Sequence, residues 1–116
     1  MARELGAAYE WVKHEPVARK AGVSTAVIEA IRTHHALPGL EDLQQAALAA
    51  AQCGLERRSI PPAVQDELAA ALGLQGVLEM AVLCGFYEMI AGVLFAFDVP
   101  LPEGVVDPFG SNGTDN

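Results

Sequence analysis

An all-α fold is what this sequence predicts, and three observations carry the prediction. Apolar residues recur at helical spacing almost from end to end, proline and glycine punctuate the pattern at intervals, and no alternating run is long enough for a sheet strand. The 116 residues suit one compact domain of about five or six helices, with a helical body over residues 1–104 and an extended tail over 105–116.

A first helix is expected over about Ala2 to Glu15, with Leu5, Ala8, Tyr9, Trp11 and Val12 on its apolar side. Pro16 should then restart or bend the chain, because proline suits a first helical turn far better than an interior. Gly22 closes that short segment. Ser24 is a good N-cap for the next helix, which should run to about His35 with Val27, Ile28 and Ile31 inward. Leu37-Pro38-Gly39 ends it. An alanine-rich helix follows from Glu41 to Arg57, turning Leu43, Ala46, Ala47, Ala50 and Leu55 inward and placing Arg57-Arg58 at its negative end.

Ser59 and Pro61-Pro62 mark the next start. Val64, Leu68, Ala71 and Leu72 then suit a short surface helix capped by Gly73. The last helix should span about Gln75 to Phe97 and is apolar on nearly every side, while Gly85, Ala91, Gly92 and Ala96 would let another helix approach closely. Val77 to Val99 is long enough to cross a bilayer. Glu79, Glu88 and Asp98, with no flanking Lys or Arg, favour a buried helix of a soluble protein instead, covered by helices of its own subunit on one side and by a neighbouring subunit on the other. Prolines and glycines after Asp98 indicate an extended tail whose last residues, Ser111 to Asn116, should fray.

Composition narrows function. The chain is 52% hydrophobic and 19% charged, with a mean hydropathy of +0.27, which is apolar for a small monomer and predicts burial between subunits. Net charge is −8. All seven cations lie in residues 1–58, and residues 59–116 carry eight acids and no cation. Nucleic acid and anionic membrane surfaces are thereby disfavoured as partners, since both are bound through clustered Lys and Arg. Cys53 and Cys84, 31 positions apart, form neither a CxxC motif nor a zinc box, so free thiols and a cytoplasmic location are expected. The N-terminus shows no secretory h-region.

The chemistry that stands out is Glu10 and His14, four residues apart on one helical face between Tyr9 and Trp11. The spacing alone also suits a solvated surface pair. Its functional reading is an acid and a base tuned by aromatic walls that exclude water. His34-His35 diverge by about 100° on a helix and read as a C-terminal cap. No HExxH or paired-acid motif completes a metal site, and no metal or cofactor is expected. Glu79 and Glu88, within the apolar last helix, are either its polar edge or contributors to a site or interface.

The stretch from Tyr9 to Ser24 (Tyr9-Glu10-Trp11-Val12-Lys13-His14-Glu15-Pro16 and onward) resembles the active-site helix and following turn of the carboxymuconolactone decarboxylase-like family, which includes the alkylhydroperoxidase D-like proteins. Leu78 to Ile90, running on to Phe97-Asp98-Val99-Pro100-Leu101-Pro102, is similar to that family's last helix and tail. The resemblance implies an alkylhydroperoxidase D-like helical fold assembled as trimers or hexamers. The peroxidase branch carries Cys-x-x-Cys-x-x-x-His on this helix, a pattern that falls here on Ala7, Glu10 and His14, so both thiols are absent. The resemblance then points to the thiol-free decarboxylase-like branch: a cofactor-free lyase of aromatic catabolism that removes carbon dioxide from a small unsaturated lactone or carbonyl acid. In that reading His14 is proton donor or shuttle, Glu10 orients it or shares the proton, and Tyr9, Trp11 and Glu88 bind substrate. The family's upstream helices have no counterpart before Glu10, and the chain looks like an N-terminally short form of the domain. A thiol-dependent peroxidase and a non-catalytic oligomeric helical protein are the alternatives.

Overall fold

The computed structural model describes residues 1–110. Among these the protein is all-helical, with four helices and no strand: α1 (Ala8–Lys20), α2 (Thr25–Arg32), α3 (Asp42–Leu55) and α4 (Pro62–Ala96). The expected fraying of Ser111 to Asn116 lies outside the described residues. Contacts divide the chain into two units, one made of Met1 with residues 39–90, the other of residues 2–38 with the segment beginning at Ala91.

The first helix begins later and ends later than its sequence suggests. Residues 2–6 form turns, with Gly6 at φ 66° and the Ala7 amide bonded to the Ala2 carbonyl at 2.8 Å. Pro16 neither restarts nor ends the helix but lies inside α1. Its missing N–H removes one intrahelical bond, while a Glu15–Arg19 ion pair at 2.8 Å ties the turns on either side of it together. Gly22, at φ 91°, then closes α1. The Gly22 amide bonds Arg19 O and the Val23 amide bonds Ala18 O, the paired bonds of a Schellman motif.

The other helices end the same way, with less suitable residues. His34 (φ 56°), Arg57 (φ 54°) and Asp98 (φ 46°) hold the left-handed position after α2, α3 and α4. In each case the next amide reaches back five residues: His35 to Ala30 O, Arg58 to Cys53 O, Val99 to Leu94 O. His34 thus closes α2 through its backbone, and its ring pairs with Glu4 at 3.3 Å. Ser24 caps α2 as expected, its hydroxyl accepting from the Val27 amide at 3.3 Å. Glu41 caps α3 through reciprocal bonds with Gln44.

In the first unit the core is small and alanine-lined. Ala46 and Ala50 of α3 meet Leu68, which is wholly buried, with Ile60, Val64, Val77 and Met80 packed around them. Alanine on the inner face of α3 lets the facing helix come close. Leu43, expected inward, is exposed, as are Ala71 and Leu72 of the short surface stretch.

α4 is the longest element, with 35 residues. It is broken at Gly73, whose φ 72° and ψ 168° only glycine adopts readily, so the two helices expected there are both present across a kink. The break swings Leu72 over Gly76, where an added Cβ would lie 2.6 Å from the Leu72 Cβ. Beyond the kink only part of the helix packs within the chain, with Val77 and Met80 against the core and Ala91 buried. Leu74, Leu78, Val82, Leu83, Met89 and Phe95 are each more than half exposed, because α3 and the Pro62–Leu72 stretch supply too little apolar surface to cover all sides of it. By length and composition α4 is apolar enough to cross a membrane.

Candidate functional site

The residues singled out in the sequence sit mainly in the second unit, on the first half of α1. Ala7 precedes this helix without a side-chain cap, and Glu10 falls in the first turn, where helix polarity favours an acid. Helical spacing puts Glu10, Lys13 and His14 on one face.

Glu10 is 3% exposed, and its Oε1 is buried with no hydrogen-bond partner among the described residues. Burial pushes its carboxyl above the usual carboxylate range, and the neighbouring His14 charge acts in the opposite sense. His14, by contrast, is exposed. Its Nδ1 lies 2.8 Å from the Glu10 main-chain carbonyl. A carbonyl only accepts, so Nδ1 carries the proton and Nε2 is the nitrogen that exchanges one. The main-chain carbonyl of Glu10 thus contributes to holding the imidazole.

The aromatic neighbours do different work. Trp11 is buried, donates from Nε1 to Glu15 Oε2 at 2.8 Å, and meets the Phe109 ring edge-on at 5.5 Å and 67°. Glu15 in turn accepts from Arg19, which reaches Thr25 at 2.8 Å, so a polar chain links Trp11 to the start of α2. Tyr9 is partly exposed, with the Lys13 Nζ 5.5 Å from its ring centre. Glu88 belongs to the first unit, where it lines a cavity of about 260 Å³ with Ala50, Arg58, Met80 and Cys84. Burial raises the Cys84 thiol, with Glu88 adding to the effect, which leaves it a poor nucleophile.

Two residues of this region escaped the sequence reading. Lys13 is one, although its i+3 position from Glu10 was visible. Phe109 is the other. Arg3 stacks over the Phe109 ring at 4.6 Å and donates from Nε to Arg32 O at 2.7 Å, and Arg32 donates to Pro108 O at 3.1 Å. Its only sequence signal was a large aromatic in a proline- and glycine-rich tail. Among the described residues no three His, Cys, Asp or Glu side chains group as a metal site.

Comparison with protein-family models, with curated proteins and with solved structures finds no match to this chain.

Proposed function

We propose that the α1 face bearing Glu10, Lys13 and His14 is the site of a cofactor-free decarboxylase of the carboxymuconolactone decarboxylase-like type, acting in the cytoplasm on a small unsaturated lactone or carbonyl acid. The single observation that carries the reading is the pairing of a buried Glu10 carboxyl, whose Oε1 has no hydrogen-bond partner among the described residues, with an exposed His14 whose Nδ1 meets the Glu10 carbonyl. Burying an unpartnered carboxyl is costly, and such costs gather at working sites.

The roles follow from exposure. Lys13, exposed and on the same face, supplies the charge that draws an acidic substrate. As the substrate C–CO₂⁻ bond breaks, carbon dioxide leaves and the electron pair spreads into a dienolate. Protonated His14 gives its Nε2 proton to carbon, and water restores that proton. Glu10 is the positioning residue. Its carbonyl fixes the ring, and its carboxyl lies within reach of the imidazolium charge. Tyr9 bounds the site beside Lys13. Trp11 acts by anchoring the helix rather than by touching substrate.

Purified protein mixed with a carboxylated unsaturated lactone should release carbon dioxide. His14→Ala should lower the rate about 100-fold or more, in line with loss of a general acid, and Glu10→Gln about 10-fold. No release above the uncatalysed rate, or full activity in both variants, contradicts the proposal.

A further inference from the structure

α4 carries a groove that no described part of the chain fills. Its volume is about 460 Å³, and it is lined by Gln75, Leu78, Glu79, Val82, Leu83 and Phe86, all from α4 itself. These six residues are two adjacent i+4 rows, Gln75-Glu79-Leu83 and Leu78-Val82-Phe86. A groove between two such rows on one helix is the shape that receives a row of side chains from another helix.

We propose that the occupant is the same segment of a second copy of this chain, so that the Leu78-Val82-Phe86 rows of two copies interlock about a two-fold axis. Three observations select this occupant. The surface is self-complementary, apolar along one row and edged by Gln75 and Glu79 along the other, with Gln75 already bonded to Glu79 at 2.8 Å inside its own helix. In an isologous pair each carboxylate then stays at the rim. The area is also sufficient. Leu78, Val82, Leu83 and Met89 are more than half exposed and Phe86 nearly so; at roughly 100 Å² apiece they form an apolar patch on the order of 500 Å², the upper range for a monomer. Two such patches bury about 1,000 Å², the threshold of a specific interface. Lastly, a bilayer is a poor alternative: Glu79 and Glu88 fall within the apolar stretch, and no cation lies anywhere in residues 59–116 to anchor it.

This surface shares no residue with the Glu10–His14 site, so the activity assay and the association test are read separately. Interlocking i+4 rows predict a crossing angle near −50° between the two helices. Light scattering after size exclusion should give a mass that is an even multiple of 12.2 kDa. Val82→Glu and Phe86→Glu should each halve that mass while leaving the helical circular dichroism unchanged, since both side chains are exposed in the single chain. Should those variants fail to fold, Val82→Cys under mild oxidation should give a covalent dimer that Glu67→Cys does not. A 12.2 kDa wild type, an odd multiple, glutamate variants of undiminished mass, or flotation of wild type with phosphatidylcholine vesicles overturns the proposal.

Discussion

His14 Nδ1 is held by the Glu10 main-chain carbonyl at 2.8 Å, while the Glu10 carboxyl itself is buried, with Oε1 unpartnered among the described residues. One residue thus orients the imidazole through its backbone and stores an unsatisfied acid in its side chain. The folded state raises the Glu10 pKa by burial, so the fold binds this proton more tightly than the unfolded chain does. Stability from the group is fully present below the unfolded value and is lost as pH rises through the folded one. Glu10→Gln should therefore stabilise the protein by about 1 kcal/mol at pH 8, with the gain shrinking towards pH 4. Thermal melts of both proteins across that range measure it.

Phe109 joins the tail to α1 through its edge contact with Trp11 and the Arg3 guanidinium above its ring. Phe109→Ala should cost about 2 kcal/mol, the sum of an aromatic pair and a cation–π contact. Trp11 is the single tryptophan, so its emission should move to longer wavelength in the same variant as water reaches the indole. Fluorescence and denaturant titration report the two effects together.

Leu68 is wholly buried against Ala46 and Ala50, and the alanines around it cannot grow to refill a void. Leu68→Ala should cost about 3 kcal/mol by urea denaturation. Gly76→Ala should destabilise for the opposite reason, since its Cβ would meet the Leu72 Cβ at 2.6 Å.

Arg57 holds the left-handed position that ends α3, at φ 54°. Its backbone makes the motif, so Arg57→Gly should gain about 1 kcal/mol by removing the Cβ penalty. The melting temperature should rise, and helical content should not fall.

Much of the fold was legible because the chain marks its helix ends chemically. Ser24, Gly22 and Gly73 each stand where the backbone needs a cap, a left-handed turn or a break, and each is there in the structure. His34, Arg57 and Asp98 perform the same task without glycine's signature, so the ends they make could not be placed from residue type. Pro16 misled because the helix tolerates one lost bond where flanking side chains pair across it. The apolar last helix was legible as a surface that needs cover on more than one side, but periodicity does not report which molecule supplies it. At the site, the Glu10–His14 spacing was visible, whereas the opposite burial of its two members depends on packing by residues distant in sequence.

Glu10 is a buried acid whose carboxyl feels the His14 charge. Carbon-13 NMR of the Glu10 carboxyl, followed as pH is raised in wild type and in His14→Ala, tests this directly. The midpoint should lie above the ordinary glutamate value of about 4.3, and His14→Ala should move it higher still, because the imidazolium charge lowers it. A midpoint at the ordinary value, unmoved by His14→Ala, contradicts the account.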